Sequence, residues 1–506
     1  MSTHRRRRSV GLQGSSATDS VYSRALSVAF PCPFWTVAVG GCAPVLIALV
    51  HVLRLLDDGG SDSGTGGLDR RAEGSRTNAA SRAQLRVLLL VSLLLSVVGY
   101  LMTSRIVPSI ASRMLPRVSG VDIGKRGLGG PGDGDPVPES LGVVPGTIFL
   151  VCVTLTATFA RTVTTGVALS QGDFNVAIGS ITMAVLLGLM DDLVDLKWRE
   201  KLVVGAVMAL PLIGSYSGQT SVILPRQLRF LVAVQDGSSS GVGESGGGGE
   251  MAKLTWFGEL LDNVVEVDRA AGGSLINLGN WYLVFIWAVV VFCTNAINIY
   301  AGINGIEAGQ TYVTACAVAV MNLLELAWRG PEALLDGDGM NHAFSLLLML
   351  PFIGTMLGYL NFNWFPARVF GGDVLPYYSG MTLAVAGILG HFSKSLFLLM
   401  IPQLLNFVYS LPQLFKIVPI PRHRLPRVDK KTGFMRASKV APGDSRPNMT
   451  LLCAAVTLCG GQLHERTLCA ILLAFQTFCA TFGLVMRYGL GSLLYGWRNI
   501  FAHEAA

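Results

Sequence analysis

Charge is what this sequence has least of. Only 14% of its 506 residues are Asp, Glu, Lys or Arg, against about 25% in an ordinary soluble domain. With 51% hydrophobic residues and a mean hydropathy of +0.51, a soluble enzyme is excluded. The composition is that of a polytopic membrane protein, packed against lipid as much as against itself. The nine cysteines include no C-x-x-C pair, so neither zinc nor thiol redox chemistry is signalled. Most of them (Cys152, Cys293, Cys316, Cys469 and Cys479) lie in apolar runs, where a thiol behaves as a small hydrophobe. No internal repeat is evident. The net charge of +7 does not call for nucleic acid, because basic loops on the cytoplasmic side of a membrane account for it.

What the chain has is long apolar runs. Stretches of roughly 17–25 apolar residues are candidate spans. Ten are expected, at 85–107, 144–168, 174–190, 202–219, 277–298, 309–328, 343–361, 375–391, 395–415 and 466–488. A weaker eleventh, 34–55, is broken by Gly40, Gly41 and Pro44 and follows the basic residues 4–8. The reading is an all-α bundle, with residues 1–84 an N-terminal extension and 85–490 the membrane domain. Residues 57–80 and 236–250 are Gly/Ser-rich and cannot sustain a packed core.

Loop parity gives the sidedness. With ten spans, the connections near 108–143, 191–201, 299–308, 362–374 and 416–465 share one face. The last is rich in Lys and Arg, which marks that face as cytosolic. The opposite loop, 221–275, carries more acids than bases and is read as luminal. The sequon Asn448-Met449-Thr450 falls on the cytosolic side and should stay unmodified.

Four polar clusters fall on that same face. "GLMDDLVDLKWREKL" brings Asp191, Asp192 and Asp195 close to Trp198 and Lys201. Like charges three and four apart destabilise a helix, and more so at a membrane boundary, unless a cation compensates. A solvated cap with a local Asp–Lys pair is the plain alternative. In "NAINIYAGINGIEAGQ", Asn295 and Asn298 share a helix face, with Asn304 and Glu307 following. Amide oxygens suit hard cations, although amides also serve as glue between membrane helices. "VFGGDVLP" sets Asp373 on a Gly-Gly turn just after Phe370. "PIPRHRLPRVDKKTG" carries Arg422, His423, Arg424 and Arg427 in a segment that prolines hold extended. Arginine forks match phosphate oxygens, although a basic juxtamembrane loop can simply sit on anionic lipid. Asp122, Lys125 and Glu139 form a softer fifth group. A transporter would set its polar residues near the bilayer midplane, whereas these lie at helix ends.

Together the clusters resemble the eukaryotic branch of the polyprenyl-phosphate N-acetylhexosamine-1-phosphate transferase family. "FCTNAINIYAGINGIEAGQ", "AGILGHFSKSLFLLMIPQLLNFVYSLPQLFKIVPIPRHRLPR" and "NMTLL" carry the likeness, which covers roughly 85–220 and 277–490. The resemblance implies ten transmembrane helices with a cytosolic active site in the endoplasmic reticulum membrane. It further implies transfer of GlcNAc-1-phosphate from UDP-GlcNAc to dolichyl phosphate, the first step of dolichol-linked oligosaccharide synthesis, with Mg²⁺ and sensitivity to tunicamycin-type nucleosides. By resemblance, Asn298 and Asp373 are metal ligands, and Asp191, Asp192 and Lys201 are catalytic. Ile123, Glu139, Asn304 and Phe370 surround the uridine, while Trp198, Arg422, His423 and Arg424 hold the sugar phosphate. Val374 departs from the family's usual threonine and Asp195 from its frequent asparagine. The Arg-His-Arg loop argues against the bacterial branches that use undecaprenyl phosphate and another UDP-amino sugar. The resemblance leaves a homodimer open.

Overall fold

The computed structural model describes residues 34–58, 69–122, 136–163, 169–216 without Asp195, 218, 220–224, 226–233, 253–269, 275–333 and 337–419. It also describes 421–490 apart from 422–423, 430–431, 442 and 445. The described chain is mostly helical. α1 (Phe34–Asp58) and α2 (Asp69–Met114) lead into a small hairpin of β1 (Ser119–Val121) and β2 (Pro136–Pro138). α3 (Val143–Val163), α4 (Gln171–Val194) and α5 (Trp198–Ser215) follow.

A segment away from the polar helix ends then folds into a three-stranded antiparallel sheet and two short helices. β3 (Ser221–Ile223) pairs with β5 (Leu275–Asn277), and β5 with β4 (Glu266–Val267). α6 (Arg226–Val232) packs against α7 (Trp256–Asp262). This corrects the expectation of a helix-only chain. Residues 236–250, read as Gly/Ser linker, lie outside the described residues.

α8 (Trp281–Ile299), α9 (Ile306–Ala333), α10 (Gly337–Asn363) and α11 (Val374–Leu389) form the centre. α12 (Ser393–Leu399) and α13 (Ile401–Leu414) are one apolar run bent by 78°. Beyond them come the hairpin β6 (Arg427–Val428) and β7 (Met435–Arg436), α14 (Leu451–Leu458) and α15 (Glu465–Val485).

Among the described residues, eight helices are long and apolar enough to cross a membrane, or nine if the bent pair is one span. Seven of the ten expected segments are such helices, and 395–415 is the bent pair. The other two are shorter, Val203–Ser215 within α5 and Val374–Leu389. The reason for the second is visible: every residue of α11 is buried, so other helices, not lipid thickness, set its length. The weak candidate at 34–55 is the helix α1. It lies along α9, where the Tyr312 hydroxyl donates to Ala38 O (2.6 Å) and meets Cys42 Sγ (3.0 Å).

α10 and α11 are the axis of the bundle. α10 lies against α2 and α9, and α11 against α4 and α8. Small residues let these backbones approach, as membrane helices require where lipid is as apolar as any side chain. Gly188 of α4 faces the backbone of Val374, and Gly380 of α11 faces that of Cys293 and Thr294. Four polar helix ends are thereby drawn together at one end of the bundle.

Candidate active site

The Asp191-Asp192 pair closes α4, and the two carboxylates do different things. Asp191 is buried, and both of its oxygens are bonded. Its Oδ1 accepts Leu196 N–H (3.0 Å); its Oδ2 accepts the Tyr377 hydroxyl (2.9 Å) and meets Lys201 Nζ (2.8 Å). Asp192 Oδ1 accepts the Asp373 backbone N–H (2.6 Å). Its Oδ2 is buried without a hydrogen bond of good geometry, Ser140 being a neighbour. The Gly-Gly turn makes this contact possible. Gly372 has φ +63°, and a β-carbon there would stand where the Asp192 carboxylate lies.

Asp373, just ahead of α11, is the hub. Its Oδ2 receives Lys201 Nζ (2.6 Å) and its Oδ1 the Asn298 amide (2.7 Å). Burial works against the Asp373 carboxylate, but the lysine and the amide outweigh it and hold its pKa below the usual range. Burial likewise opposes the Lys201 ammonium, and its bonds to Asp191 and Asp373 raise its pKa nonetheless. Two residues from two helix ends thus meet the Asp373 carboxylate, and Asp192, from a third, accepts its backbone N–H.

An open pocket of about 590 Å³ adjoins this hub. One wall is built by backbone pairing: Phe370 N–H donates to Pro138 O (2.9 Å), while Leu141 and Gly142 N–H donate to Phe370 O and Gly371 O (both 3.0 Å). That register sets Phe370 and Glu139 at the pocket. Burial, and then the Asp373 charge, raise the Glu139 pKa.

Another wall is the glycine-flanked turn after α8. Asn304 Oδ1 accepts Ala367 N–H (2.6 Å), its Nδ2 donates to Asp122 (3.2 Å), and its backbone N–H donates to Glu465 (2.7 Å). Its amide is therefore a brace among three segments. The far wall is Leu425 to Val428, with Leu425 against Gly302.

Most expected residues are thus brought together. Asp191, Asp192, Lys201, Asn298 and Asp373 form the hub, and Glu139, Asn304 and Phe370 line the pocket beside it. Asn295 does not join them. Its amide bonds back to Val291 O (2.9 Å), so the face it was expected to share with Asn298 is not a shared site. Arg424 is half-buried, burial lowers its pKa, and its Nη1 has no hydrogen bond. Ile123, Asp195, Arg422, His423 and the Trp198 side chain lie outside the described residues.

One pocket acid, Glu465, lies outside every cluster read from the sequence. Glu465, the first residue of α15, looks like an ordinary helix N-terminal acid. Arg427, expected with Arg422, His423 and Arg424 in the basic cluster, lines the far wall. Glu307 was noticed only as part of its motif; its carboxylate accepts Gly302 N–H and steadies the turn. The usable signal for Glu465 was a carboxylate at the mouth of an apolar run.

The pocket wall is acidic. Asp122, Glu139, Asp192, Glu307, Asp373 and Glu465 line it, against Arg427 as the basic side chain among the described residues. Among the described residues, such a lining repels an anion unless a positive charge offsets it. No three His, Cys, Asp or Glu side chains among the described residues could hold a metal unaided. A Mg²⁺ ion needs no such cage, since it is commonly held by one or two protein ligands and substrate phosphates. Asn298 and Asp373 fit that role: the carboxylate and the amide, whose O and N ends are interchangeable by rotation, face each other at 2.7 Å.

The sequence model of glycosyl transferase family 4 matches residues 174–391. Three relatives are named UDP-N-acetylglucosamine–dolichyl-phosphate N-acetylglucosaminephosphotransferase. The protein of Dictyostelium discoideum is 36% identical over 77% of this chain and 86% of its own length. That of Leishmania amazonensis is 35% identical over 84% and 98%. That of Saccharomyces cerevisiae is 31% identical over 80% and 92%.

Proposed function

This chain belongs to the UDP-N-acetylglucosamine–dolichyl-phosphate N-acetylglucosaminephosphotransferase family, and we propose from that premise how its pocket performs the transfer. The reaction moves GlcNAc-1-phosphate from UDP-GlcNAc to dolichyl phosphate and releases UMP. A dolichyl phosphate oxygen attacks the sugar-bearing phosphorus, and the bond from that phosphorus to the oxygen of UMP breaks.

The observation that carries the residue roles is the convergence of Lys201, Asn298 and Asp192 on Asp373 beside an aromatic-walled pocket. Asn298 and Asp373 would hold Mg²⁺, which neutralises diphosphate charge when bound. Lys201 supplies a second fixed positive charge, and Asp191 keeps it in place. Phe370 offers a face for the uracil, with Asn304 and Glu139 beside it. Arg424, with its neighbours Arg422 and His423, would grip the donor's phosphates.

A phosphate monoester, with a second pKa near ~6, is already largely ionised at neutral pH. Direct attack therefore needs no strong base. Asp192, with one uncommitted oxygen, suits orienting the nucleophile or removing a residual proton; Asp191 is fully engaged. Catalysis is then mostly positioning and electrostatics.

The site-bearing loops share the face whose last loop is rich in Lys and Arg, which favours a cytosolic site. Counting α5, α11 and the bent pair as spans gives ten from α2 to α15. α1 is an eleventh, added ahead of them. An endoplasmic reticulum location follows from the dolichol acceptor.

The test is UMP release by the purified protein supplied with UDP-GlcNAc and dolichyl phosphate. Release should need Mg²⁺, be blocked by a tunicamycin-type nucleoside, and vanish in Asp373→Asn without loss of folded protein. Full turnover by that variant would refute the assignment.

A further inference from the structure

We infer that Asn448, a residue outside the pocket, positions the pocket segment that begins at Leu425, immediately after Arg424. The argument starts on α13, which is not apolar all round. Gln403, Asn406, Ser410 and Gln413 recur every three or four residues on its buried face. Exposed apolar residues such as Leu405 and Val408 lie on the other. Buried polar side chains must find partners, and three of these find them in one short stretch. Leu451 N–H donates to Asn406 Oδ1 (2.9 Å), and Ser410 Oγ donates to Met449 O (2.8 Å). Met449 N–H donates to Gln413 Oε1 (3.0 Å), and Gln413 Nε2 donates to Asn448 Oδ1 (2.8 Å). Residues 448–451 are therefore tied to the helix by four bonds.

Asn448 carries that anchorage toward the pocket. Fully buried, it spends both amide protons, Nδ2 donating to Ser438 Oγ (2.7 Å) and to Lys439 O (3.1 Å). Its backbone N–H donates to Ser438 O (2.8 Å). Ser438 Oγ, accepting from Asn448, gives its own proton to Arg424 O (3.2 Å). From Arg424 the chain runs directly into Leu425, Pro426, Arg427 and Val428, which form the pocket's far wall. An unbroken series of bonds thus runs from α13 through Asn448 and Ser438 to Arg424. Only an amide serves at the centre, because Asn448 must accept from Gln413 while donating twice.

This inference rests on the reading that Arg424 grips the donor's phosphates. The test compares the KM for UDP-GlcNAc and for dolichyl phosphate in purified full-length wild type, Asn448→Asp, Ser438→Ala, Arg424→Ala and the Ser438/Arg424 double variant. Misplacing a binding group by about 1 Å costs up to ~10²-fold. Each single variant is therefore expected to raise the donor KM about tenfold while the acceptor KM stays within about twofold. The double variant should be no worse than Arg424→Ala alone, as residues acting through one another are not additive. Should Asn448→Asp fail to fold, Ser438→Ala still decides, since it deletes the hydroxyl that bonds Arg424 O and leaves the Asn448 N–H to Ser438 O bond in place. The inference is overturned if Arg424→Ala raises the donor KM but Ser438→Ala does not, or if both KM values rise together and the double variant is additive. An unchanged donor KM in Arg424→Ala instead overturns the reading beneath it.

Discussion

Lys201 and Asp373 are 172 positions apart in the chain, yet Nζ of one lies 2.6 Å from Oδ2 of the other. Asp191 Oδ2 is 2.8 Å away on the lysine's other side. One ammonium thus holds two carboxylates that would otherwise repel, and its removal leaves them facing each other. Lys201→Met should destabilise the protein by about 3 kcal/mol, as expected when one partner of a buried ionic group is deleted. It should also reduce kcat by at least about 10²-fold. Thermal unfolding and initial rates on the same preparation check both effects. Wild-type kcat in Lys201→Met would show that the lysine only holds the fold.

The two adjacent aspartates should separate in a paired experiment. Asp192→Asn retains an oxygen to accept the Asp373 N–H but alters the uncommitted position, so turnover should fall about 10²-fold or more with little change in Tm. Asp191→Asn disturbs a fully bonded, buried carboxylate, so Tm should fall together with kcat. If Asp191→Asn kept the wild-type Tm, the division of labour drawn from the geometry would be wrong.

Much of this site was legible because membrane physics makes polar residues at the ends of apolar runs costly. Asp192, Asn298 and Asp373 stood out for that reason, and loop parity set them on one face. What was not legible was which partner each residue chooses. Asn295 and Asn298 have the same type and helical spacing, yet one bonds back to its own helix and the other reaches Asp373. The buried face of α13 was also missed. Gln403, Asn406 and Gln413 were absorbed into an apolar average, which reports length and not the direction of each side chain. The 78° bend at Met400 escaped for a similar reason: Pro402 is compatible with a helix start, but only the packing shows that a new one begins there.

The pH dependence of stability should carry Glu139's signature. Its folded pKa is raised, first by burial and then by Asp373. A raised folded pKa means that the proton binds more tightly in the folded state. Its stabilising contribution is thus present below the unfolded value of about 4.3 and is lost as pH rises through the folded value. Glu139→Gln removes this dependence. The Tm difference, variant minus wild type, should therefore grow more positive between about pH 4 and 7. A flat difference across that range would mean that Glu139 titrates as an ordinary surface carboxylate.

Asn298 should reveal itself through the cation. If its amide oxygen is one of two protein ligands, Asn298→Ala leaves Asp373 as the remaining one. The Mg²⁺ concentration for half-maximal activity should then rise about tenfold or more, with activity partly restored at high Mg²⁺. A Mg²⁺ titration of UMP release measures this directly. An unchanged midpoint with a lowered plateau would assign Asn298 to orienting Asp373 alone, through the bond seen at 2.7 Å.

Gly302 offers a test of the far wall that touches no polar group. Its φ of +103° is a conformation that L side chains rarely adopt, and the Leu425 side chain occupies the space a β-carbon would need. Gly302→Ala therefore forces a choice between distorting the turn that carries Asn304 and pushing Leu425, with the segment behind it, out of place. Both movements open the donor side of the pocket, while the Lys201–Asp373 hub is left intact. The KM for UDP-GlcNAc should rise about tenfold or more with kcat less affected, the pattern of lost ground-state binding. Adding Leu425→Ala should recover part of the loss, because it vacates the space the new methyl needs. If the second change instead deepens the defect by its own full amount, Leu425 and Gly302 act independently and the wall is not held by their contact.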